Sequence, residues 1–115
     1  MESTPRFHML SCFRLNPGED IQGFRQAYVE FVEAMKAIDL IASSGPIGRR
    51  QNDTPMDTDE VRDHEFFAVM SFRDRAQADA AYDHIMRHSG PEDEAHEAVF
   101  PRVLDPVFIC WQDLP

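Results

Sequence analysis

Positive charge is scarce in this chain: Lys36 stands alone beside ten arginines, and these eleven bases face twenty-one acids, for a formal net charge of −10. Partners held mainly through nucleic-acid phosphates or anionic lipid are therefore disfavoured, because they need a positive footprint. Apolar runs are short, and none approaches the roughly 18 to 20 residues that cross a bilayer. Met1 to Arg6 is polar, without the long apolar region of a secretory signal. Cysteine is limited to Cys12 and Cys110, each inside an apolar run, and both read as reduced, small hydrophobes of a cytoplasmic protein. No glycine-rich phosphate loop, HExxH, Cys-x-x-Cys or nucleophile elbow occurs.

What remains is 115 residues with 43% hydrophobic content, enough for one packed core, so residues 1–115 are expected to form a single domain. Phe7 to Arg14 reads as a strand, apolar in both parities. Asn16-Pro17-Gly18-Glu19 reads as a helix start, with Asn16 as N-cap and Glu19 closing a capping box. Ile21, Phe24, Tyr28, Phe31, Val32, Met35 and Ile38 then repeat at three- and four-residue steps, which predicts a helix over about 18–38. Leu40 to Arg49 reads as an irregular edge strand because Gly45, Pro46 and Gly48 weaken a ladder. Polar Gln51 to Asp63 predicts a loop folded over the body.

His64 to Phe72 is the clearest strand: Phe66, Met70 and Phe72 share one parity, Phe67 and Val69 the other. Asp74 is placed to cap the next helix with Gln77 at its third position, and Gly90-Pro91 ends it. A helical turn over 92–100 and a last strand from about Val103 to Gln112, locally interrupted by Pro106, complete the order. Strand, helix, strand, strand, helix, strand is the α+β, ferredoxin-like βαββαβ pattern: a four-stranded antiparallel sheet with two helices on one face. The other face would expose one parity of these strands, residues such as Phe67, Val69, Ile109 and Trp111, the pattern alone leaving open which parity faces the helices. Burying each large side chain contributes about 1.5–3 kcal/mol, which favours a C2 homodimer through the helix-free sheet face, a dimeric α+β barrel.

Three stretches, Phe7-His8-Met9-Leu10-Ser11-Cys12-Phe13, Gly45-Pro46-Ile47-Gly48-Arg49-Arg50 and Phe108-Ile109-Cys110-Trp111-Gln112, resemble the small stress-responsive and uncharacterised branch of the dimeric α+β barrel superfamily. The resemblance covers about residues 7–113. It implies a dimer and a cleft between sheet and helices, without fixing a reaction, since relatives include cofactor-independent monooxygenases, haem-degrading enzymes, dehydratases and proteins of no assigned activity. Haem-degrading relatives pair an asparagine on the first strand with a histidine on the second helix. Here the first strand has no asparagine, and only His84 and His88 approximate the histidine.

Candidate chemistry centres on the polar stretch from Gly48 to Glu60. Arg49 and Arg50 suit a carboxylate or carbonyl ligand, with Asp53, Asp57 and Asp59 to orient them; the competing reading is a solvated connection whose acids cap turns and pair with Arg62. The acids lack EF-hand spacing, so no metal is assigned. His64 and His8 are the candidate proton shuttles, against a reading as hydrogen-bonded structural histidines. Trp111 and Tyr82, with Tyr28, are candidate ligand-lining aromatics or core residues. His84, His88 and His96 read as surface histidines rather than a zinc set. No cofactor is implied. The favoured function is a noncatalytic, stress-responsive-like dimer binding a small molecule; the alternative is a cofactor-independent monooxygenase or related small-molecule enzyme, with Arg49 and His64 positioning an acidic or phenolic substrate. An RNA-recognition reading shares the strand order, but the acidity opposes it.

Overall fold

A computed structural model describes residues 4–87 and 90–115. β1 (Phe7–Leu15) is followed by α1 (Ile21–Ala37), two short strands β2 (Ser43–Ser44) and β3 (Gly48–Arg49), β4 (Phe66–Phe72), α2 (Arg75–Met86), α3 (Pro91–Glu97), a single 3₁₀ turn and β5 (Val103–Gln112). β1 lies between β4 and β5 and is antiparallel to both, while β2 and β3 pair one after the other along β4. The expected second strand is thus present in two pieces, broken at Gly45-Pro46-Ile47, where Pro46 has no N–H to give the ladder. This is the ferredoxin-like order, with β1 and β4 central.

Strand register fixes the faces. Phe7, Met9, Ser11 and Phe13 of β1 lie opposite Phe72, Met70, Ala68 and Phe66 of β4. This parity faces the helices and is the buried one along β4. Against it pack Phe24, Phe31, Val32 and Met35 of α1 and Ala81 of α2, burying two adjoining apolar clusters. Phe67 and Val69 take the opposite, half-buried parity, as their alternation predicts.

Two helix starts differ in an instructive way. Asp74 caps α2 as expected, accepting from Gln77 N at 2.8 Å, while Gln77 Oε1 accepts from Arg73 N at 2.7 Å. Helix α1, however, begins at Ile21 under an Asp20 cap, and its expected cap, Asn16, is part of a turn instead. Glu19 N donates to Asn16 O at 3.0 Å across Pro17 and Gly18, and Gly18 sits at φ 88°. Proline followed by a positive-φ glycine is the signature of a type II turn, which the same four residues satisfy better than a helix start. The Asn16 amide then reaches Pro101 O at 2.8 Å and ties the turn to the entry of β5.

Candidate functional site

The helix-free face is carried by His8, Leu10, Cys12 and Arg14 of β1, Phe67, Val69 and Ser71 of β4, and Val107, Ile109 and Trp111 of β5, all placed by register. The long loop between β3 and β4 covers one end of it. There Cys12 is only 1% exposed, and burial pushes its thiol pKa up. The loop is held by its own charges. Arg50 grips Asp57 with two parallel N–H donations of 2.8 Å each and also donates to Asp59 O at 2.7 Å and to Arg62 O. Asp59 accepts from Arg62 Nη1 at 2.6 Å and from Val61 N at 2.9 Å, which together hold its carboxyl pKa down at about 2. Asp57 is lowered by Arg50 in the same way.

Beyond the loop the face is open. Ile109 and Trp111 are 40% and 42% exposed, on the side that no helix covers. At the far end, His8 is held on both sides. Its Nε2 lies 2.9 Å from Asp113 Oδ1 and its Nδ1 2.8 Å from Ser71 Oγ, and its ring stacks on Trp111 with centroids 5.2 Å apart. A carboxylate only accepts, so Nε2 carries a proton; in the neutral ring Nδ1 then accepts from the Ser71 hydroxyl, and in the imidazolium it donates to Ser71 Oγ.

Two concavities lie elsewhere. One, of about 500 Å³, sits where β1 turns into α1 and is lined by Asn16, Glu19, Ile21, Arg49, Glu65 and Phe66 among others. The Arg49 guanidinium stands 5.3 Å over the Phe66 ring and 3.4 Å from Glu65. The second, of about 290 Å³, lies between α1 and the β2–β3 segment beside Tyr28, Val32, Ser44 and Ile47. Ser44 donates to Gly45 O at 3.0 Å, so the 2.7 Å contact with Tyr28 is a donation from the phenol. Burial raises the Tyr28 pKa.

The expected site residues are therefore dispersed. Arg49 lines the larger concavity, whereas Arg50, its neighbour in sequence, points into the loop with its donors already engaged. His64 is buried and donates from Nε2 to Asp105 O at 2.7 Å, joining the loop to β5 where Asp105 adopts φ 52° at a bulge. It lines neither concavity. Tyr82 is 66% exposed on α2 and borders neither. His8 and Trp111 do meet, together with Ser71 and Asp113, which no local sequence signal marks. His88 lies outside the described residues. Among the described residues, no group of three His, Cys, Asp or Glu could hold a metal ion, and no helix is long and apolar enough to cross a membrane.

No protein-family model and no curated protein matches the chain by sequence. Solved structures do match its fold. A dimeric ferredoxin-like protein of unknown function from Thermobifida fusca is 16% identical, with a TM-score of 0.59 over 94% of this chain and 91% of that one. A DABB family protein with a ferredoxin-like fold from Mesorhizobium loti is 18% identical, with a TM-score of 0.63 over 97% and 100% of the two chains. A point mutant of SnoaB, a cofactor-independent oxygenase from Streptomyces nogalater, is 8% identical, with a TM-score of 0.63 over 92% and 90%. The chain shares the ferredoxin-like fold of these structures.

Proposed function

We propose that the protein is a homodimer joined through its helix-free sheet faces and that each copy binds a small acidic or phenolic molecule in the concavity beside Arg49. The observation that carries the dimer is the open apolar surface of Ile109 and Trp111, continuous with half-buried Leu10, Phe67 and Val69 on the side of the sheet away from the helices. A second copy presenting the same face covers it with one self-complementary contact, and the Thermobifida fusca neighbour is described as dimeric.

Arg49 suits a ligand better than Arg50. Its side chain is 57% exposed at the concavity and its ion pair with Glu65 is exposed too, so an incoming carboxylate can replace it at small cost. Phe66, Leu15 and Ile21 supply an apolar wall. We favour binding over the oxygenase reading because His64, the expected proton acceptor, is buried and lines neither concavity. A cytoplasmic, stress-responsive-like role accords with Cys12 and Cys110, free thiols on opposite faces of the sheet.

A thermal-melting screen with a library of small carboxylates and phenols tests the ligand half, since a ligand bound only by the folded state raises Tm. A compound that stabilises the natural protein and not Arg49→Ala supports the site. Equal stabilisation of both proteins would place the ligand elsewhere.

A further inference from the structure

The contact of Ser71, His8 and Asp113 joins residues 63 and 105 positions apart in the sequence and orders them as a hydroxyl, an imidazole and a carboxylate in line. In the neutral ring, with Nε2–H given to Asp113, the Nδ1 lone pair faces the Ser71 hydroxyl at 2.8 Å, the arrangement a general base needs toward a nucleophile. The ring cannot swing freely, because it is stacked on Trp111 and its side chain is only 16% exposed. Ser71 stands in the penultimate pair of the β1–β4 ladder, so the cluster sits at the rim of the sheet, at the opposite end from the loop.

We propose that Ser71, His8 and Asp113 form a nucleophile–base–carboxylate relay that turns over activated carboxylic esters. Ser71 Oγ bonds to the ester carbonyl carbon as its proton passes to His8 Nδ1, and Asp113 balances the imidazolium. The bond to the leaving alcohol oxygen breaks, and that oxygen takes the proton back from His8. Water then adds to the acyl-Ser71 carbon, again giving its proton to Nδ1. The acid departs and Ser71 Oγ is reprotonated, for a net consumption of one ester and one water. The surrounding strand backbones are engaged in the sheet ladder, so the relay offers a base and a nucleophile more than it offers oxyanion donors. That restricts it to esters with good leaving groups, such as aryl esters.

The test is labelling of the full chain by a fluorophosphonate and release of nitrophenolate from p-nitrophenyl acetate, each followed over a range of protein concentrations, with the adduct mapped by peptide mass. The proposal expects one adduct on Ser71, none on Ser71→Ala, and a loss on the order of 100-fold in His8→Gln, since general-base assistance is worth about 10²–10⁴-fold. Asp113→Asn, at an exposed position, should slow labelling while leaving the circular dichroism unchanged. Absence of a Ser71 adduct at every concentration overturns it, as does an adduct on another residue or labelling that His8→Gln leaves at the natural rate. The relay shares its face with the proposed dimer contact: if a second copy covers it, labelling rises on dilution, and if the chain is monomeric labelling is constant.

Discussion

Replacing Ile109 by Asp should split the proposed dimer while leaving each copy folded. In a single copy this side chain is 40% exposed on the helix-free face. Full burial of such a side chain contributes about 1.5–3 kcal/mol, so covering the remaining two-fifths contributes about 0.6–1.2 kcal/mol. Two-fold symmetry doubles the loss to about 1.2–2.4 kcal/mol, which alone weakens association about 7- to 50-fold. Two introduced carboxylates must also be desolvated at the contact, which pushes the change beyond about 100-fold in Kd. The folded copy should tolerate the change, because the position lies on an edge strand and its exposed side chain has little packing to lose. Sedimentation of both proteins across the micromolar range, with far-ultraviolet circular dichroism as the folding control, reads the effect. An Ile109→Asp variant that associates as tightly as the natural protein would refute the placement of the contact on this face.

Other expectations are independent of the dimer. Gly18→Ala should lower stability by about 1–2 kcal/mol in urea unfolding: φ 88° is strained for any side chain, and the space around the position is open, so packing adds nothing. Asp74→Ala should cost about 1 kcal/mol through loss of the α2 cap. Asp59, with its folded pKa at about 2 against an ordinary value of 3.8, stabilises the fold above about pH 4 and loses that contribution as pH falls from about 4 to about 2. Melting temperatures across this window should therefore fall less steeply in Asp59→Asn than in the natural protein. At neutral pH, thiol reagents should label exposed Cys110 quickly and buried Cys12 slowly, and Asp57→Asn should speed Cys12 by freeing the loop above it. Equal rates at Cys12 in the two proteins would mean that the Arg50–Asp57 grip does not keep the loop closed.

The alternation of the sheet was legible in sequence because it is a local property, with Phe66, Met70 and Phe72 on one parity and Phe67 and Val69 on the other; which parity faces the helices is set by tertiary packing and was not. The start of α1 was not, because Asn16-Pro17-Gly18-Glu19 carries the signals of both a capped helix and a type II turn, and the contact of Asn16 with Pro101 decides between them. The same limit governs the polar residues. Arg49 and Arg50 look alike in sequence, yet strand alternation sends one to the concavity and the other into the loop. Nothing local marks Ser71 or Asp113, since their meaning comes from His8 on a neighbouring strand. His64 stands out in sequence for its place beside the loop, and its partner is the Asp105 carbonyl at a bulge in β5 that only tertiary register reveals.

Sedimentation equilibrium of the natural protein at low micromolar concentration bears most directly on the pairing of two open sheet faces. The account predicts a mass of twice 13.2 kDa that falls toward 13.2 kDa on dilution. A mass of 13.2 kDa at every concentration would contradict it.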